Sequence, residues 1–202
     1  MMALVLAVVV AAPAVKAAAP FEGVLEYRLA LQGGSGAVTT SVSGLGVHTT
    51  ATVKYLDQVT NTAIVVRARD AEASWVWQAG EKRYTKVPVA ASPKRALKAE
   101  AKGSAVVATV PCVVVVVTGP DGVSEYCSAV GFVGDATREL LLASAQRLAP
   151  DVEAALRSVN GYGLVVRLKQ TSPDGKVLTG FELVSVKRRP IDKALFDVER
   201  VR

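Results

Sequence analysis

Few side chains in this sequence could carry chemistry. His48 is the sole histidine; it lies in a Thr- and Val-rich stretch typical of a strand, with no G-x-S-x-G nucleophile motif in the chain and no acid beside it. Asp70 and Glu72 flank one alanine after Arg67 and Arg69, which indicates a solvated loop instead of a buried pair of catalytic acids. One histidine, two cysteines and scattered carboxylates match no metal-ligand spacing. We therefore expect a protein without catalytic residues, metal or cofactor.

The two cysteines bracket a valine-rich stretch, PCVVVVVTGPDGVSEYC, at residues 111–127. Its TGPDGV segment has proline and glycine where a tight turn needs them, which predicts an antiparallel hairpin of residues 106–117 and 123–130. The nearer registers of that hairpin bring Cys112 within bridging distance of Cys127. We predict a structural disulfide, with two buried free thiols as the alternative.

The five consecutive valines in this stretch make the strand apolar on both sides, because successive side chains point to opposite faces of a sheet. Fully burying one valine is worth ~1.5–3 kcal/mol, so we expect apolar material to cover each face. The one long helical pattern in the chain is the candidate cover, and the valine strand is expected to lie centrally beneath it.

That helical pattern begins at Asp135, expected as its N-cap, and stops at Asn160-Gly161. Pro150 must break or kink it, which predicts two segments of about 136–149 and 151–159. Apolar residues recur along both segments at helical spacing and form one stripe.

The remainder of the chain is dominated by strand signals. Alternating apolar residues predict a half-buried strand at 20–32, and β-branched and aromatic runs predict an antiparallel meander up to residue 89. Ser92-Pro93 predicts the start of a short polar helix over 92–102. A second hairpin signal, SPDG, lies at 172–175, and Phe196 and Val198 are the expected anchors of the closing segment. The predicted fold is mostly β (α+β): a curved antiparallel sheet or half-barrel of about nine or ten strands, with the two helical segments packed on its inner face.

The N-terminus predicts a compartment. An apolar run of about ten residues is half the ~20 needed to span a bilayer, and Val15-Lys16-Ala17 fits a small-x-small cleavage site. We expect a signal peptide at 1–17, a single β-rich domain at 18–202 without a transmembrane segment, and a periplasmic or extracellular location.

The formal net charge of +6 is spread along the chain in short clusters, and aromatic residues do not alternate with basic ones. This pattern argues against nucleic acid as a partner and leaves peripheral contact with an anionic membrane surface open.

The order of four motifs carries a resemblance. FEGVLEYRL, KRYTKVPV, VPCVVVVVTGPDGVSEYC and the return from GYGLVVRLKQTSPDG to PIDKALFDV resemble, in sequence order, the secreted bacterial proteins grouped as the domain of unknown function DUF4412. The similarity covers nearly all of the chain after the predicted signal peptide. It implies one β-rich domain broadly similar to lipoprotein carriers of the LolA/LolB type, an open antiparallel half-barrel with helices in its concavity.

Two functional hypotheses follow. Small and branched apolar residues are abundant and large aromatics are few, which favours an apolar ligand, a lipid or lipid-modified polypeptide, bound between sheet and helices. Trp75 and Trp77 share one strand face and either stack on such a ligand or pack in the core. The predicted cleft residues are Trp75, Trp77, Val113, Val115, Leu141, Leu148 and Leu156. The alternative is an envelope or extracellular protein-interaction module with a filled core and no ligand.

Overall fold

Eleven antiparallel strands form one curved, open sheet in the computed structural model, which describes residues 20–88, 95–144 and 148–199. The predicted signal peptide and the start of the predicted polar helix, Ser92 and Pro93, lie outside the described residues. The strands are β1 (Gly23–Leu31), β2 (Gly34–Ser43), β3 (Gly46–Tyr55), β4 (Gln58–Arg67), β5 (Asp70–Gln78), β6 (Arg83–Pro88), β7 (Lys98–Val107), β8 (Val110–Gly119), β9 (Gly122–Ala129), β10 (Leu164–Thr171) and β11 (Val177–Arg188). The helices are α1 (Asp135–Ala143), α2 (Pro150–Ser158) and a short 3-10 helix (Lys193–Phe196).

The strand order is β6-β5-β4-β3-β2-β1-β11-β10-β9-β8-β7. The chain starts in the middle at β1, runs outward through hairpins to the edge strand β6, and continues at the opposite edge with β7. It then returns inward to β11, which pairs with β1. Short turns are sufficient for the hairpins of this path, because neighbouring antiparallel strands need only tight connections.

The predicted meander and both predicted hairpins are confirmed, but the predicted hairpin arm 106–117 starts too early, because residues 106–107 end β7 and β8 begins at Val110. β8 and β9 pair from Val113–Ser128 to Gly119–Gly122 around the PDG turn, and β10 and β11 are joined by the SPDG turn. Gly122 has φ +122°, and a Cβ there would lie 2.1 Å from the Thr171 carbonyl oxygen, so only glycine fits this tight turn.

The predicted polar helix at 92–102 is wrong where the structure describes it. Residues 98–107 form β7, paired with β8 from Lys98–Thr118 to Val107–Val110. The alanines and lysines of this segment favour a helix locally, but pairing satisfies the hydrogen-bonding edge of the valine strand, and long-range pairing overrides local propensity.

The helices differ from prediction at their ends. Gly134, not Asp135, is the N-cap of α1, and α1 ends at Ala143 instead of 149, where Ser144 Oγ donates a hydrogen bond to the Leu141 carbonyl at 2.6 Å. Pro150 does not interrupt a helix; it is the first residue of α2. Proline is favoured there because the first helical N–H needs no partner. None of the helices in the described part of the chain is long and apolar enough to cross a membrane.

The valine strand is second from the edge of the sheet, not central as expected, because β7 pairs outside it. Val115 and Val117 are buried in one cluster with α2 residues, with the half-buried Val113 packed against it. On the opposite side of the strand Cys112 is buried, whereas Val114 and Val116 are only half-buried. The second valine series is therefore incompletely covered, contrary to expectation.

The sheet is covered differently on its two faces. We call the face that carries α1 and α2 the inner face. The closing segment lies on the other, outer face, where Phe196 and Val198 pack in a cluster with Val24 and Val65, confirming both as anchors.

Candidate functional site: the inner face of the sheet

One row of residues, six with a side chain and one glycine, crosses the inner face on seven adjacent strands. Each member lies opposite the next in the strand register, so all point to the same side. From β3 to β8 the row consists of Val53, Gly36, Leu29, Phe181, Leu168, Tyr126 and Val115.

One end of this row lies beneath α2. Val115 and Tyr126 are buried in a cluster with Val152, Ala155 and Leu156 of the helix. A cavity of about 60 Å³ is left where the first turn of α2 meets the sheet. Small-molecule sites measure about 300–1,000 Å³, so this end of the interior is filled.

In the part of the chain that the structure describes, no helix lies over the other end of the row. Leu29, Val53 and Phe181 are half-buried, as are Val38 and Ala51 in the neighbouring row. α1 packs elsewhere on this face, where Leu140 and Leu141 join a cluster with Leu25, and α2 lies over β7 and β8. A band of partly exposed apolar side chains therefore runs across the inner face beside the helices.

The position of α2 is fixed by an ionic contact at its first turn. Arg95 donates hydrogen bonds to the Asp151 carboxylate from its backbone N–H at 3.0 Å and from Nε at 2.8 Å, and to Asp121 from Nη1 at 2.9 Å. The Asp151 side chain is only 6% exposed. Hydrogen bonding to Arg95 lowers the pKa of the Asp151 carboxyl from its ordinary value and raises the pKa of Arg95 above its own.

The predicted disulfide is present. Cys112 and Cys127 are bridged with their Cα atoms 5.4 Å apart, and both residues are buried. Cys127 lies opposite Val114 in the hairpin, so the bridge joins β8 to β9 diagonally. It ties β9 to β8, which is one of the two strands over which α2 lies.

The seven predicted cleft residues do not come together. Val113, Val115, Leu148 and Leu156 belong to the cluster beneath α2, and Leu141 belongs to the neighbouring cluster under α1.

Trp75 and Trp77 lie apart from these five. Ser74 Oγ donates to the Ala143 carbonyl of α1 at 3.3 Å, so alternation along β5 places both tryptophans on the outer face. There Trp75 packs against the cluster of the closing segment and Trp77 meets Tyr84 edge to face.

His48 and Asp70, the residues considered for chemistry, lie in strands and contact neighbouring side chains. His48 is buried on β3, with Nε2 3.4 Å from the Tyr84 hydroxyl. Asp70 begins β5 instead of lying in a solvated loop, and its carboxylate is 3.0 Å from Lys86 Nζ, whose hydrogen bond lowers the pKa of Asp70. Within the described ranges, no three His, Cys, Asp or Glu residues are grouped as metal ligands would be.

Sequence reasoning missed part of the uncovered band. The alternation of β1 identified the Leu29 side as apolar, but no local signal distinguished a position under a helix from one beside it. Val53 and Phe181 join Leu29 only through the strand register.

The sequence of this chain also matches a known protein family. Residues 21–199 match the family model described as "Domain of unknown function (DUF4412)". The chain belongs to the DUF4412 family. No curated protein matches the sequence of this DUF4412 protein.

Several solved structures have a similar fold. An uncharacterized conserved protein from Thermus thermophilus is 11% identical, with 89% of this chain and 85% of that chain covered and a TM-score of 0.48. The matched chain in the MucA/MucB complex from Pseudomonas aeruginosa is 14% identical, with 86% of this chain and 54% of that chain covered and a TM-score of 0.46. This chain therefore spans about half the length of that one. A putative outer membrane lipoprotein-sorting protein domain from Vibrio parahaemolyticus is 8% identical, with 87% and 88% covered and a TM-score of 0.36.

Proposed function

We propose that this DUF4412 protein is a non-enzymatic envelope or secreted protein that binds an apolar ligand, a lipid or a lipid-modified polypeptide, on the inner face of its sheet. The observation that carries the proposal is the uncovered band around Leu29, Val53 and Phe181. Contiguous exposed apolar surface on a water-soluble domain is costly, and where it persists it typically marks a binding site.

The site lies beside α2 instead of beneath it. The space at the first turn of α2 measures about 60 Å³, which is too small for an acyl chain. The band needs no displacement of a helix, and its curved surface offers the side of an acyl chain several half-buried contacts at once.

A location outside the cytoplasm is part of the proposal. The buried Cys112–Cys127 disulfide supports it, because disulfides persist in oxidising compartments. The apolar N-terminal run supports it as a secretion signal.

A second candidate is a protein-interaction module without a lipid ligand. The filled space beneath α2 favours it, since a solid interior is what such a module requires. Both candidates use the same exposed band, so the experiment that distinguishes them must compare binding of a lipid-bearing ligand with binding of a bare peptide.

The experiment is fluorescence anisotropy with a labelled diacylated lipopeptide and the same peptide without acyl chains. We expect saturable micromolar binding of the lipopeptide and none of the bare peptide. Val53→Asp places a charge on the band and is expected to weaken binding at least tenfold.

Val59→Asp is the matched control. Val59 is 59% exposed and lies opposite Lys54, the neighbour of Val53, so it points to the outer face. It is expected to leave the affinity unchanged. Equal binding of the bare peptide would favour the interaction module, and failure of the lipopeptide to bind would refute the lipid proposal.

A further inference from the structure

A second concave site lies on the outer side of the molecule, at one end of the sheet. A cavity of about 480 Å³ opens between the β2–β3 turn, the β4–β5 turn and the closing segment. Leu45 and Phe196 supply apolar wall, Arg67, Arg69 and Lys193 supply positive charge, and the carboxylates of Asp197 and Glu199 also line the cavity. Its volume lies within the about 300–1,000 Å³ typical of small-ligand sites.

Arg67 is an unusual residue in this cavity. Its side chain is only 12% exposed, and its guanidinium stacks 4.6 Å from the ring centroid of Trp75. Among the described residues its side chain makes no hydrogen bond, and its Nε is buried without a partner. A guanidinium has five N–H donors, and leaving the buried Nε–H without an acceptor costs free energy.

The acidic neighbours do not satisfy this group. The nearest Asp70 oxygen is 3.7 Å from Nη2, beyond hydrogen-bonding distance, and that carboxylate is already bonded to Lys86. A Glu199 oxygen lies 4.0 Å from Nη1, but Glu199 is 80% exposed and free to turn toward solvent. Stacking on Trp75 holds the planar fork of Arg67 in one orientation while its terminal nitrogens lack close acceptors.

We propose that this cavity binds a small ligand through an oxyanion, a carboxylate or a phosphate, held by the Arg67 guanidinium. The fork of arginine matches both groups, because two parallel N–H donors can reach two oxygens. Arg69 and Lys193 add charge at the rim, and the body of the ligand packs against Leu45 and Phe196. The site is separate from the inner face, so the result of this test does not depend on whether the inner face binds a lipid.

The test is a titration of ¹⁵N-labelled protein by NMR with sodium phosphate, sodium acetate and sodium chloride at matched ionic strength. Saturable shifts of the amides of Leu45, Ala68 and Arg69 are expected with at least one oxyanion and not with chloride. Saturation by phosphate alone identifies a phosphate ligand, and saturation by acetate alone identifies a carboxylate ligand.

Three variants decide the role of the guanidinium. Arg67→Ala is expected to weaken binding at least tenfold. Arg67→Lys keeps the charge, loses the two parallel N–H donors and is expected to weaken binding several-fold. This variant tests the proposal if the alanine variant folds poorly. Arg83→Ala removes an exposed arginine that pairs with Glu81 outside the cavity, and is expected to leave binding unchanged. Equal affinities in all variants that fold, or linear shifts with all three salts, would overturn the proposal.

Discussion

Truncation of the Leu156 side chain tests whether α2 is packed tightly on the valine strand β8. Leu156 is fully buried on α2 in the cluster that contains Val115. Leu→Ala substitutions in cores cost about 2–5 kcal/mol, with the upper part of this range where the structure cannot collapse into the space left. α2 cannot move inward easily, because Arg95 holds its first turn and Gly161 is already in close contact with Val115. We therefore expect Leu156→Ala to lower the free energy of unfolding by about 3–5 kcal/mol.

The assay is urea unfolding followed by tryptophan fluorescence, with the disulfide intact. Domains are stable by about 5–15 kcal/mol, so the expected loss moves the midpoint far outside experimental error. Leu56→Ala is the control: Leu56 is 71% exposed, and exposed substitutions change stability by less than about 0.5 kcal/mol. A loss below about 1 kcal/mol for Leu156→Ala, at an unchanged m-value, would refute the view that α2 is packed tightly on the sheet.

Two further substitutions test how α2 is held. Gly161→Ala would place a Cβ 2.4 Å from Val115 Cγ2, and we expect urea unfolding to show a loss of about 1–3 kcal/mol, whereas Gly80→Ala, with no atom within 4 Å of its Cβ, stays near wild type. Asp151→Asn removes a carboxyl whose native pKa lies below its ordinary value of 3.8. When the pH falls toward 3.8, this carboxyl therefore takes up its proton in the unfolded state before it does so in the native state. The resulting stabilisation is complete above about pH 5 and is lost as the pH falls through the native pKa. The stability difference between wild type and Asp151→Asn should be constant from about pH 5 to 7 and shrink below about pH 4; a difference that does not change with pH would contradict the role of Arg95.

Local signals were sufficient for most of the sheet. The PDG and SPDG turns, the alternation around Leu25 and the β-branched runs each depend on neighbours in sequence, and the strands formed where these signals lie. β7 was missed because its residues favour a helix and only pairing with β8, a contact between distant residues, makes them a strand. The same reason explains the misplacement of the valine strand, since its rank in the sheet depends on whether 98–107 pairs outside it.

The candidate site was less predictable than the fold. The disulfide followed from the hairpin and two cysteines, but the faces of Trp75 and Trp77 depended on which side of β5 meets α1. Arg67 gave no sequence signal, because an arginine before a turn is ordinarily solvated. Its burial results from the closing segment, which packs beside it from the far end of the chain.

The energetics of α2 favour the proposed site beside the helix over a site beneath it. A ligand beneath α2 would first have to expose the fully buried side chains of Val115 and Leu156, each worth about 1.5–3 kcal/mol, and break the contact of Arg95 with Asp151. Such a ligand must regain that free energy before it binds at all. A ligand on the uncovered band instead gains from surface that is already exposed to water. If the proposed ligand binds on the inner face, the band around Leu29 and Phe181 is therefore the site that favours tighter binding for the same buried area, with α2 beside it as a fixed helix.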